Sequence, residues 1–209
     1  MARNRVQLLE VSPEHPEPHR IRQAVARLEL GQNVIYPTDT IYGLAAAVDQ
    51  RQAVEKLYAL RKLDRSKPLS LVCSDISDVA RYAIVDNDCF RAMKRVLPGP
   101  YTFILRATKE APRLGQSKRK TVGIRIPAHP VARAIVGALG APILSTSSLG
   151  DPGSEVSDPV ALAEAYSNTS VSMVLDAGIM KGVPSTVIDW SGEKPEILRE
   201  GAGSIEELA

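Results

Sequence analysis

Apolar positions along this chain follow two alternating rhythms. Short runs rich in Val, Ile and Leu predict strands: VQLLEV from Val6, NVIYPT, PLSLVC, YTFILRAT, TVGIRIP and APILSTSS. Between them, apolar residues recur at helical spacing. Ile21, Val25 and Leu28 mark a helix over His19–Leu30 that Gly31 stops, and Val54, Leu57 and Tyr58 share one face over Arg51–Lys62. HPVARAIVGALG is a helix ended by Gly140, and two more are expected around Ile76–Tyr82 and Asp88–Val96, ahead of the LPGP turn at Leu97–Pro100. Asp158 and Pro159 read as the N-cap and first residue of a helix reaching Tyr166. VSMVLDAG, STVIDW and EILREG supply the last strands. YTFILRAT and TVGIRIP read as partners joined by a basic loop. Strands and helices that alternate in this way predict an α/β protein with an open, twisted mixed sheet and flanking helices. No internal repeat interrupts the pattern, and 209 residues fit a single domain, 1–209, with a core of about 18–203.

Charge adds little until its distribution is considered. The net charge is only +2, so no bulk attraction to nucleic acid follows. The cations cluster, however: Arg61, Lys62, Arg65 and Lys67, then Lys118, Arg119 and Lys120. Solvated loops and a phosphate-binding surface both fit these clusters. Cys73 and Cys89 have no nearby His, and His15, His19 and His129 sit beside prolines or in a Pro-rich stretch. Neither a metal site nor a redox motif is expected. The N-terminus has no apolar signal core, and no run is long enough to span a bilayer, which points to the cytoplasm.

Candidate chemistry lies at the strand ends. PTDTIYGL, STSSLG and GVPSTVID each close a predicted strand with hydroxyls and glycine. In open α/β sheets ligands bind beyond strand ends, and hydroxyl and N–H donors suit phosphate or carboxylate oxygens. Arg125 in GIRIP and Arg199 in ILREG stand on otherwise apolar strands. Together these features suggest an anion or nucleotide site. The alternative is that Thr38, Ser147 and Thr186 only cap turns. No GxxxxGK[ST] loop, GxGxxG turn or GxSxG elbow is present.

PTDTIYGLA, PLSLVC, LPGPYTFIL, VGIRIPAHP, APILSTSS, GVPSTVID and ILREGA stand in the order and spacing of the YrdC/YciO family, from about Ile21 to Gly203. The chain resembles that family, and within it the YciO branch. The resemblance implies a YrdC/RibB-like fold with a basic concave face. It implies synthesis of threonylcarbamoyl-AMP from threonine, bicarbonate and ATP for tRNA modification, a nucleotidyltransferase-type reaction with Mg2+ on the triphosphate. The fold is also associated with double-stranded RNA. By position, Thr38, Thr40, Tyr42, Arg61 and Ser147 would take the threonine and acyl part. Arg125, Thr146, Ser185, Thr186 and Arg199 would take the nucleotide. Lys62, Arg65, Lys67, Lys118, Arg119 and Lys120 would meet RNA. The family's catalytic branch carries K-x-R and S-x-N where this chain has Arg61-Lys62-Leu63 and Ser147-Ser148-Leu149. Three readings follow: an enzyme of weak or altered activity, an RNA- or ribosome-associated binding protein, and a cleft for some other adenylate, in a monomer or a homodimer.

Overall fold

The computed structural model of the protein describes residues 5–64, 69–148 and 156–208. The chain runs β1 (Gln7–Glu10), α1 (Pro18–Glu29), β2 (Asn33–Tyr36), β3 (Gly43–Ala47), α2 (Arg51–Leu60), β4 (Ser70–Val72), α3 (Val79–Tyr82) and α4 (Asn87–Val96). It continues with β5 (Tyr101–Arg106), β6 (Thr121–Arg125), α5 (Pro130–Leu139), β7 (Ile143–Ser147), β8 (Val156–Ser157) and α6 (Pro159–Ala165). The last strands are β9 (Val171–Asp176), β10 (Met180–Lys181), β11 (Thr186–Asp189) and β12 (Glu196–Arg199). Among the described residues, ten strands form one mixed sheet in the order β1-β9-β2-β3-β7-β4-β6-β5-β11-β12, and β8 pairs only with β10. The expected pairing of YTFILRAT with TVGIRIP is present, β5 lying antiparallel to β6. β3 was not visible in the sequence. GLAAA has five buried positions and no polar alternation, so nothing marks it as a strand until β2 and β7 pair with it on either side.

The alternation along each strand separates two apolar clusters. Leu44, Leu71, Phe103, Val122, Ile124 and Ile188 point to the face packed by α2, α4 and α6. Tyr36, Ala45, Ala47 and Ile143 point to the opposite face, where α1 and α5 pack against each other and over the β9–β2–β3 end. Farther along that second face the inward positions change character, to Ser145, Ser70, Gly123 and Thr102. Burying such residues under a helix would gain little hydrophobic free energy, and the sheet is open there.

The end of α2 bears on the departure from the family motif. Lys62 sits at φ 48°, a left-handed conformation that favours glycine. Its N–H donates to the Ala59 carbonyl (3.2 Å) and the Leu63 N–H to the Tyr58 carbonyl (3.0 Å), the paired bonds of a Schellman stop. Leu63 then packs against the core, as the second residue after such a stop commonly does. The same bonds close α1 around Gly31 at φ 70°. Replacing Lys62 with glycine should therefore stabilise the protein by about 0.5–1 kcal/mol. A shift of the urea midpoint upward, at unchanged slope, checks this.

Candidate functional site

The open part of the sheet floors a cavity of about 690 Å³, within the size range of small-molecule sites. Register places Ser70 between Ser145 and Gly123 on neighbouring strands, which makes the floor shallow. Tyr36 closes one end. Its hydroxyl donates to Ser145 Oγ at 2.9 Å, and burial raises its pKa. The ring lies over Gly43, where a Cβ would come within 2.8 Å of it, so the floor needs glycine at that position.

Arg125 lies at the end of β6 and lines the cavity. Its Nη2 donates to Asp39 Oδ1 (2.7 Å), Thr40 Oγ1 (2.6 Å) and Thr38 Oγ1 (3.2 Å). Its Nε is buried without a partner. Thr38 also donates to the Ile41 carbonyl (2.6 Å) and accepts from the Thr40 N–H (3.1 Å), which folds the PTDT segment around the guanidinium. Asp39 Oδ2 accepts from the Ala128 N–H (3.1 Å) and so ties the β2–β3 loop to the start of α5. Beside it, His129 Nδ1 accepts from the Val131 N–H, and burial lowers its pKa.

Arg199 comes from β12 at the other side. Its Nε and Nη2 grip the Ser185 carbonyl at 3.0 and 2.8 Å. Burial, and secondly the charge of Arg125, lower its pKa. Two guanidiniums thus lie in each other's field at this end of the cavity. Ser185 Oγ meets Thr102 Oγ1 at 2.8 Å on the cavity wall. Thr186 turns away: fully buried, it donates to the Gly203 carbonyl (2.6 Å) and accepts from the Gly201 N–H (2.9 Å), fastening the C-terminal segment.

Other predicted residues fall in three groups. Thr40, Tyr42, Thr146, Ser147, Lys118 and Arg119 line the cavity. The Tyr42 hydroxyl is engaged with the Gly178 carbonyl and Ala177 N–H, and burial pushes its pKa up to about 12. Thr38, Arg61, Lys62, Lys120 and Thr186 do not line it. Arg61 lies close by: its Nη2 donates to Ser147 Oγ at 3.3 Å and its Nε is buried without a partner. Burial raises the pKa of Tyr166, and Arg61 offsets part of that rise. Arg65, Lys67 and Leu149 lie outside the described residues. The sequence reading missed Tyr36, Ser70, Thr102 and Asp189, all of which line the cavity, and had Ser145 only as part of the STSSLG segment. The signal was present in Thr121-Val122-Gly123-Ile124-Arg125, where every second position is small or polar against an apolar opposite face.

A large mixed sheet with one face half-uncovered, and guanidiniums and hydroxyls gathered there, defines an α/β protein with an open, polar cleft. The chain belongs to the Sua5–YciO–YrdC family, whose model, described as telomere recombination, matches residues 26–201. It is 40% identical over 202 residues to the uncharacterized protein YciO of Escherichia coli K12, covering 95% of this chain and 97% of that one. The crystal structure of E. coli YciO superposes with a TM-score of 0.91 at 38% identity, covering 98% of this chain and all of that one. A threonylcarbamoyl-AMP synthase of Halorhodospira halophila is 35% identical over 190 residues, covering 90% of this chain and 94% of that one. The crystal structure of P. abyssi Sua5 complexed with L-threonine matches with a TM-score of 0.87 at 29% identity, covering 96% of this chain and 59% of that one.

Proposed function

We propose that the cleft binds an adenine nucleotide and that the protein is a threonylcarbamoyl-AMP synthase-like nucleotidyltransferase of low activity, working in the cytoplasm. The observation that carries this is the cavity wall: Lys118, Arg119, Arg125 and Arg199 face a space lined by nine Ser and Thr residues. Such a wall offers fixed donors to a phosphate chain and to the charge that develops as it reacts. In the reaction, the threonine amine and bicarbonate condense to a carbamate with loss of water. A carbamate oxygen then bonds to the α-phosphorus of ATP, the bond to the bridging oxygen breaks, and pyrophosphate leaves with the electron pair. Arg125 and Arg199 would hold phosphate, Ser185 would orient it, and Thr40 and Ser147 would lie toward the acyl end. No nucleophile from the chain is required, because the two substrates react once they are aligned.

Among the described residues no group of three or more acidic, His or Cys side chains could hold a metal. Both Asp39 oxygens are already engaged. Mg2+ would therefore arrive on the triphosphate as part of the substrate. The test is incubation with ATP, threonine and bicarbonate. Pyrophosphate and threonylcarbamoyl-AMP, seen by mass spectrometry and dependent on all three substrates, are the expected result; their absence after prolonged incubation with ATP bound would remove the enzymatic reading.

A second reading, RNA binding, draws on the exposed Lys118, Arg119, Lys120 and Lys62. It predicts filter binding that weakens steeply as salt rises, since neutralised phosphates release counterions.

A further inference from the structure

Arg125 is the one cavity-lining cation that has an ion-pair partner among the described residues. The partner, Asp39, is only 12% exposed, and Arg125 is 14% exposed. A pair this enclosed is poorly screened, so the carboxylate is felt by whatever binds beside the guanidinium. Asp39 therefore does two things. It fixes Nη2, together with Thr38 and Thr40, and it cancels much of the positive charge that Arg125 brings to the cleft. Fixing alone did not need an acid, because the two threonine hydroxyls already accept from the same nitrogen. Without Asp39 none of the four wall cations would have an ion-pair partner among the described residues, and Asp189 would be the one acid lining the cavity.

We infer that Asp39 is a positioning residue that also sets the affinity of the cleft for free inorganic anions. By offsetting Arg125 it keeps pyrophosphate weakly held, so that binding depends on the nucleoside as well as the phosphates. This rests on the nucleotide reading above, in which pyrophosphate is the leaving group and must depart. The carboxylate acts on charge and leaves uncharged ligands alone. Asp39→Asn keeps a carbonyl for Arg125, removes the charge and puts an amide NH2 where Oδ2 accepted from the Ala128 N–H. Asp39→Glu keeps the charge.

Calorimetry on the full chain decides the point, with inorganic pyrophosphate, AMP and adenosine titrated into the parent and both variants, each first shown to melt cooperatively. A unit charge lying within a guanidinium's width of a bound phosphate should matter by at least about tenfold. Asp39→Asn is thus expected to bind pyrophosphate at least about tenfold more tightly than the parent, with adenosine unchanged. Asp39→Glu should stay close to the parent. Unchanged or weakened pyrophosphate binding in Asp39→Asn overturns the inference. So does an Asp39→Glu protein that behaves like Asp39→Asn, since the effect would then be one of shape. Failure of the parent to bind AMP would instead remove the nucleotide reading, and the pyrophosphate arm would still decide the role of Asp39. If neither the parent nor Asp39→Asn binds pyrophosphate, the inference is wrong.

Discussion

Arg125→Ala should lose adenylate affinity by about a hundredfold or more and should also unfold more easily. The binding loss follows from removing a preorganised guanidinium whose charge-assisted contacts are worth about 1.5–3 kcal/mol each. The stability loss has a separate origin. Asp39 would keep its charge in a nearly closed site with the Ala128 N–H as its remaining hydrogen bond. Breaking one side of such a pair costs about 3 kcal/mol, because a charge is left without compensation. Arg125→Ala combined with Asp39→Asn separates the two effects. The double variant should regain most of the stability, as seen by urea unfolding, but only the part of the AMP affinity lost to the unpaired carboxylate, as seen by calorimetry, and should stay well below the parent. AMP binding that survives Arg125→Ala unchanged would disprove the placement of phosphate at Arg125.

The unmodified chain should make threonylcarbamoyl-AMP about a hundredfold more slowly than a homologue with the full K-x-R and S-x-N residues, since one preorganised donor lost from an anion cradle costs about that much. The structure sharpens the reason at two of the three positions. Arg61 keeps a cation close to Ser147, with a buried Nε that has no partner, so some hold on substrate survives. Leu63 is committed elsewhere, packed on the core behind the Schellman stop of α2. Restoring a guanidinium there must therefore pull an apolar side chain off the core, at a cost of about 1–2 kcal/mol. The triple change Arg61→Lys, Leu63→Arg, Leu149→Asn should raise product formation at least about tenfold, while single changes show little, because the groups act as a unit. Product should be measured well below the melting temperature of the triple variant, to separate catalysis from folding. A parent that already matches the full-signature homologue would show that these substitutions carry no penalty.

Much of this fold was legible in the sequence. Helices α1 and α5 announce themselves by apolar spacing and by a terminal glycine, Gly31 and Gly140, each in the left-handed conformation that the stop requires. Their boundaries came within a residue or two because propensity, periodicity and capping all point the same way there. The end of α2 was less legible, since its stop uses Lys62 and no local preference foretells a lysine at φ 48°. The strand β3 was illegible for a different reason. An alanine-rich segment buried on both faces has no period, and only its neighbours β2 and β7 make it a strand.

For the site, the sequence by itself determined which residues carry the charge and the hydroxyls, and that Arg125 and Arg199 stand out on apolar strands. Tertiary structure alone decided their partners. It paired Arg125 with Asp39, eighty-six positions away, and turned Thr186 from the cavity to the C-terminal segment. It also drew Lys118 and Arg119 into the same wall. The physical reason is that alternation fixes which face of its own strand a side chain occupies, whereas sheet order fixes which strands lie side by side. Sheet order here follows from long-range pairing and from where α1 and α5 stop covering the sheet. The open floor of Ser145, Ser70 and Gly123 exists only because three segments far apart in the chain became adjacent strands.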